Sequence, residues 1–276
     1  MLESRIAPVS VYLTVYNEEQ QIADCLSCLQ WASEIIVFDK SSSDRTASIC
    51  RSMGAFVVPI PNDDIKRTQL VHSYGSSEFC LFVTASDRIH INLASKVVRC
   101  LNSDQSSDAY FLPFKHYSFQ VNPKHSAFSS LFKISLIRRS TLLLRNEIHR
   151  EISTSSENIG SISPSDPLCY IHHLSNSNLS VYFSQLPRYL ALERDTNTYS
   201  SKRFLFYLFR QTLGTIFRCR VFTRSGFAQF ASWIGYQLLV YAALWDRETF
   251  LDRNNPETNP FHHTCISRLC VNSFFT

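Results

Sequence analysis

Glycine is scarce, with six residues in 276, and none of them builds the G-x-G-x-x-G of a dinucleotide-binding turn or the G-x-x-x-x-G-K-[ST] of a phosphate loop. Both devices need backbone laid close against phosphate, which glycine permits, so both are excluded. Charge of one sign is lacking too. Twenty-seven Lys and Arg against 23 Asp and Glu leave a net charge of +4, too little for a dedicated nucleic-acid binder. No uninterrupted apolar run reaches the length of a bilayer crossing. Phe227 to Trp245 has no formal charge, but Gln229, Ser232 and Gln237 break it, so a buried or membrane-surface helix is expected there. The opening Met1-Leu-Glu-Ser-Arg-Ile-Ala-Pro8 has no signal-peptide core, and export is not expected. There is no internal repeat.

Nine cysteines are scattered along the chain, an odd number without a compact framework, as in a reduced, cytoplasmic protein. Cys25 and Cys28 have C-x-x-C spacing, but no second pair completes a zinc site, and they read as packed thiols. The 45% hydrophobic content is that of a globular core.

Val9, Val11, Leu13 and Val15 alternate with Ser10, Tyr12 and Thr14, the period of a strand. Asn17 offers a cap for a helix bearing Ile22, Leu26 and Leu29. Ile35 to Phe38 reads as a short central strand. Ser43 or Asp44 can then cap a helix ending before Gly54. Ala55 to Val58 and Phe79 to Val83 are further strands, with a helical stretch from about Asp64 to His72 between them. A helix over Leu93 to Leu101 precedes strands at Ala109 to Phe114 and Leu131 to Ile137. Strand–helix alternation predicts a parallel sheet with right-handed crossovers, passing into a mixed edge. The first two strands both stop at acids, Glu18 just past one and Asp39 at the end of the other. In an open α/β sheet ligands bind beyond the carboxyl ends of the strands, so the pair marks one polar crevice. Carboxylates there would repel phosphate but accept hydrogen bonds from a base N–H or ribose hydroxyls, which suits the nucleoside half of a nucleotide.

The turn Thr14-Val-Tyr-Asn-Glu-Glu19, the strand Trp31-Ala-Ser-Glu-Ile-Ile-Val-Phe-Asp39 and the turn Ser41-Ser-Ser-Asp-Arg-Thr46 resemble those of family 2 glycosyltransferases of the GT-A fold, most nearly the bacterial enzymes that add sugars to the lipopolysaccharide core. The resemblance runs from about Val9 to Asp87 and returns more weakly at Ile148 to Glu151, Tyr170 to Leu192 and in the terminal helices. It implies an α/β, Rossmann-like mixed sheet flanked by helices. A glycosyltransferase domain over 1–178 is expected, with a nucleotide-binding half (1–100) and an acceptor half (101–178), followed by a helical extension over 179–276. It further implies inverting transfer of a sugar from a nucleotide-sugar donor to a lipid-linked or polysaccharide acceptor in cell-envelope synthesis. Thr14, Tyr16, Glu18, Asp39, Lys66, Arg67, Ser86 and Asp87 would surround the donor.

Where the family carries Asp-Ala-Asp-Glu for a divalent cation, this chain has Thr84-Ala-Ser-Asp87. Magnesium and manganese prefer anionic oxygen, so the exchange weakens metal binding. Three outcomes stay open. Asp87 holds a metal with Ser86 and a histidine such as His172 or His173; Lys66, Arg67 and Arg88 neutralise the diphosphate; or catalysis is lost and the protein binds nucleotide sugar or glycan without turning it over. A nucleotidyltransferase is a further alternative, disfavoured by the first loop. Asn146-Glu-Ile-His-Arg-Glu151 lies where the family places its base, which makes Glu151, with His149 and Glu147 behind it, the candidates; an exposed loop with surface ion pairs is the plain alternative.

Between 202 and 224 six cations, Lys202, Arg203, Arg210, Arg218, Arg220 and Arg224, interleave with phenylalanines and no acid. Docking on an anionic membrane surface is expected, at the inner face of the membrane, with an ordinary surface helix as the alternative. Nucleic-acid binding is not expected, because no RNA-binding motif accompanies the charge.

Overall fold

The structure is a computed structural model. It describes residues 7–61, 67–103, 106–118, 131–144 and 152–175, then 186, eight positions between 205 and 216, and 222–253. The chain divides into two units, Met1–Ser177 and Asn178–Thr276.

The first unit is built on strands β1 (Ala7–Val15), β2 (Ala32–Asp39), β3 (Phe56–Pro59) and β4 (Phe79–Phe82), with helices α1 (Ile22–Ser27), α2 (Thr46–Ser52) and α3 (Arg67–Ser73) between them. β5 (Asp87–Ile89), α4 (Ile91–Leu101), β6 (Ala109–Ser118), β7 (Leu131–Arg138), β8 (Leu142–Leu144), β9 (Ile152–Thr154), β10 (Ile159–Ser161) and β11 (Ile171–Ser175) follow. The main sheet runs β3-β2-β1-β4-β7-β6-β11-β5, with β10 also beside β6. β3, β2, β1 and β4 are mutually parallel. β7 enters antiparallel to both β4 and β6. This is a mixed α/β sheet flanked by helices, as the resemblance implied.

The period-2 pattern of β1 sorts its residues to two apolar layers. Val9, Val11, Leu13 and Val15 pack with Ile22, Cys25, Leu26 and the α4 residues Leu93, Ala94 and Val97. Tyr12 packs with Ile36, Phe38, Val58 and Val71 on the other face. Because β1 is central and covered on both sides, even Ser10 is fully buried, and its hydroxyl donates to Glu34 Oε1 at 2.6 Å. α2 ends as the sequence suggests, with Gly54 at φ +82°, the left-handed conformation that glycine adopts at a helix C-terminus.

The first helix differs from expectation. α1 is six residues long and starts after Gln21, with no side-chain cap. Asn17 stands four residues upstream, and its Oδ1 accepts from the Ser43 amide at 2.9 Å, so its capping capacity is used across to the next turn. Strands β8 to β11 had no period-2 signature, being three to five residues long. In the second unit α5 (Arg224–Arg253) is a single 30-residue helix. Among the described residues no helix is long and apolar enough to cross a membrane.

Candidate functional site

β1 and β2 run in register to their ends, with Thr14 opposite Phe38 and Val15 opposite Asp39. The loops that follow them leave the sheet side by side and are knitted together. Asn17 N donates to Ser42 Oγ at 2.9 Å, and that hydroxyl donates to Asp39 Oδ1 at 2.5 Å. Glu18 N donates to Thr46 Oγ1 at 2.7 Å. Glu19 N reaches Asp44 Oδ2 at 3.1 Å, and the Arg45 amide donates to Glu19 Oε2 at 3.1 Å. Burial raises the pKa of Asp44, but hydrogen bonds from the Thr46 hydroxyl, the Thr46 amide and the Glu19 amide outweigh it and hold the carboxyl below its ordinary value.

Both loops contain a non-glycine residue in the left-handed region, Asn17 at φ +54° and Ser41 at φ +58°. Asn tolerates that conformation, whereas for Ser it costs ~1–2 kcal/mol. Such strain persists where surrounding bonds over-determine it, and it clusters at ligand sites. Here it falls at the end of each of two adjacent parallel strands, where a nucleotide site is expected.

The structure therefore brings Thr14, Tyr16, Glu18 and Asp39 to neighbouring strand ends. Tyr16 is 41% exposed and Asp39 5%. Asp39 accepts from the Ser42 hydroxyl and amide, so one of its duties is to shape its own turn. Glu18 Oε2 accepts from Gln21 Nε2 at 2.5 Å. Lys40, passed over in the sequence, is only 4% exposed at the end of β2. Its signal was its place directly after Asp39.

The Thr84–Asp87 turn follows β4, the strand next to β1. Asp87 is 3% exposed and both its oxygens are engaged. Oδ2 accepts from Thr84 N at 2.7 Å and Thr84 Oγ1 at 3.0 Å, while Oδ1 meets His173 Nδ1 at 2.8 Å. Thr84 Oγ1 lies 3.0 Å from Ser86 Oγ. Of the two histidines expected near Asp87, the grouping with His172 gives way to His173. Adjacent residues of β11 point to opposite faces, and it is His173 that pairs across to Asp87. His172 Nδ1 lies 2.7 Å from the Tyr117 hydroxyl and its Nε2 3.2 Å from Leu168 O. Burial lowers its pKa. Nothing in a His-His dipeptide says which ring faces which way; the β5–β11 register decided it.

Next to His173, His116 of β6 stands with ring centroids 4.8 Å apart. Burial, then the neighbouring His173 and Lys133, push its pKa down to about 4, so it is a neutral imidazole at pH 7. Lys133 of β7 has its own pKa lowered by burial, with Asp87 opposing. Asp87, His173 and His116 thus form one row across three neighbouring strands.

A divalent cation needs several open anionic or imidazole ligands. Thr84 and Ser86 are neutral, Asp87 is consumed by its own turn and by His173, and among the described residues no group of three His, Cys, Asp or Glu side chains is arranged to hold a metal ion. The described residues do not fit a divalent cation. Arg88 is also committed, donating to the carbonyls of Ala85, Asp87 and Gln21 at 2.8 to 3.0 Å, which removes it as a partner for diphosphate. Arg67 begins α3, its side chain outside the described set. Lys66, Glu147, His149 and Glu151 lie outside the described residues. Cys25 is buried and Cys28 partly so, both unpaired thiols. Cys25 donates to Thr84 O at 3.4 Å and Cys28 Sγ accepts from Ile89 N at 3.2 Å. Burial raises both their pKa values, as suits packing beneath the Thr84–Ile89 segment.

The structure thus places acid-bearing turns at the carboxyl ends of two adjacent parallel strands of a mixed α/β sheet, and part of the chain is similar to a glycosyltransferase. A 4,4'-diaponeurosporenoate glycosyltransferase of Staphylococcus haemolyticus is 29% identical over 134 residues, covering 41% of this chain and 36% of its own length. The chain therefore spans about a third of that relative's length. No protein-family model matches. Among solved structures, the Pyrobaculum calidifontis mannosyltransferase in complex with GDP-Man and Mn2+ is 13% identical, with 87% of this chain and 88% of that one covered and a TM-score of 0.47. Residues 1–349 of TarS from S. aureus are 13% identical, with 90% and 73% covered and a TM-score of 0.43. Glucosyl-3-phosphoglycerate synthase of Mycobacterium tuberculosis is 16% identical, with 70% and 81% covered and a TM-score of 0.43. At these identities no residue role is transferred from the solved structures.

Proposed function

We propose that the protein is a glycosyltransferase of the family 2 type. In this reading it moves a hexose or related sugar from a nucleotide-sugar donor to a lipid-linked or polysaccharide acceptor in cell-envelope glycan synthesis, with inversion, on the cytoplasmic side. The observation that carries the reading is the pair of knitted, locally strained loops after β1 and β2, with Glu18 and Asp39 at their roots. The likeness of part of the chain to a glycosyltransferase supports it.

Glu18 and Asp39 accept hydrogen bonds from the nucleoside, with Thr14 and Tyr16 beside them. Lys66 and Arg67 balance the diphosphate, and Ser86 contributes a hydroxyl. Glu151, with His149 behind it, takes the proton from the acceptor hydroxyl. The acceptor oxygen then bonds to the anomeric carbon as the carbon–oxygen bond to the diphosphate breaks, and the nucleoside diphosphate departs.

The test is titration calorimetry of UDP and GDP against wild type and Asp39→Asn, alongside turnover of UDP- and GDP-hexoses in EDTA and in manganese. Asparagine keeps an oxygen for Ser42 but loses the charge that a base or ribose donor strengthens, so affinity should fall about tenfold, as for one charge-assisted bond. Affinity and turnover should change little between EDTA and manganese. Wild type that binds neither nucleotide would refute the reading. Tight binding without turnover would point instead to a catalytically impaired nucleotide-sugar-binding protein.

A further inference from the structure

The second unit carries an apolar surface that sugar transfer does not use. Residues 205, 206, 208–210, 212, 213 and 216 are helical. Leu205, Phe206, Phe209 and Leu213 are 62%, 69%, 64% and 44% exposed, and Phe222 is fully exposed. At about 100° per residue the first four fall on one arc of roughly 100°. Exposed Arg210 falls just outside that arc. α5 repeats the pattern independently. Its exposed described residues from 227 to 242 are Phe227, Ala228, Ala231, Leu238, Leu239 and Ala242, all apolar, on an arc of roughly 120°. A solvated helix would place charge there.

We propose that this unit docks on an anionic lipid bilayer, inserting the Leu205, Phe206, Phe209 and Leu213 face below the headgroups while Arg210 at the edge of that face contacts lipid phosphate. Charge decides the occupant. The segment holds six cations and no acid, so a second copy of the chain would bring like charge against it, whereas anionic headgroups complement it. The proposal goes beyond glycosyl transfer and does not depend on it.

The experiment is flotation of the full chain with vesicles of pure phosphatidylcholine, or of phosphatidylcholine and phosphatidylglycerol at about 7:3, in low and high salt, with sedimentation velocity in parallel. Wild type should float with the anionic vesicles and be released by salt. Arg210→Gln should lower partitioning about fivefold, the worth of one cation at such a surface. Phe206→Ser with Phe209→Ser should lower it at least about tenfold, with unchanged far-ultraviolet circular dichroism because both rings are exposed. The indole fluorescence of a Phe206→Trp variant should shift to the blue on anionic vesicles. Wild type that stays with the buffer, equal binding to both vesicle types, no spectral shift in the Phe206→Trp variant, or a dimer that the double serine variant dissociates would each overturn the proposal.

Discussion

Glu34 lies near the start of β2, away from the crevice, and offers the clearest measurable consequence of the fold. Its Oε1 accepts from Ser10 Oγ at 2.6 Å, Ser76 N at 2.6 Å, Ser77 N at 2.9 Å and Ser77 Oγ at 3.1 Å. Burial raises its pKa, but these four donors outweigh it and bring the carboxyl from 4.5 down to about 2. Taken in full, such a shift is worth ~3.4 kcal/mol at 1.36 kcal/mol per unit. Because Glu34 is partly exposed, solvent screening reduces that to ~1–2 kcal/mol. The folded pKa lies below the unfolded one, so the contribution is complete above about pH 4.5 and disappears as pH falls towards 2. Glu34→Gln keeps an oxygen for the same donors and removes only the charge. Urea unfolding should show the variant less stable by ~1–2 kcal/mol at pH 7. At pH 3.5 less than half of that difference should remain. A difference that is equal at both pH values, or below ~0.3 kcal/mol at pH 7, would refute charge-assisted bonding as the source.

Gly75 sits in the loop that delivers Ser76 and Ser77 to Glu34, at φ +85°, and a Cβ there would lie 2.4 Å from the Tyr12 hydroxyl and 3.0 Å from Ser10 Oγ. Tyr12 itself donates to Tyr74 O at 2.6 Å and accepts from Arg139 Nη2 at 2.8 Å. Gly75→Ala should cost more than ~2 kcal/mol in urea unfolding, from strain and displacement together, and a neutral result would contradict the described loop. At Ser41, Ala keeps the left-handed penalty and Gly removes it, while both lose the hydroxyl bond to Ile60 O. Ser41→Gly should therefore be more stable than Ser41→Ala by ~1 kcal/mol in thermal unfolding; the reverse order would show the backbone unstrained.

Local periodicity carried the first half of the fold well. β1, β2, β3, β4 and α4 were legible because one face or both of each is buried, which writes a period of 2 or a continuous apolar run into the chain. β5 and β8 to β11 were not, since segments of three to five residues hold at most two repeats of any pattern. The placing of Glu18 and Asp39 at neighbouring strand ends was legible from where the apolar runs stop. Asn17 was not: its side chain was expected to cap α1, but its partner is Ser43, 26 residues on. Likewise Asp87 was read as a ligand, and only the partners of its two oxygens show a carboxylate spent on structure.

The sequence by itself determined which residues alternate, where each strand stops and which charges are present, because these depend on neighbours a few positions away. Only the tertiary structure decided that His173 rather than His172 meets Asp87, that Lys40 is buried, that Arg88 is committed to carbonyls, and that the apolar faces around Phe206 and Phe227 lie exposed. Each of those depends on strand register or on what packs against a surface, which are set by segments distant in the chain.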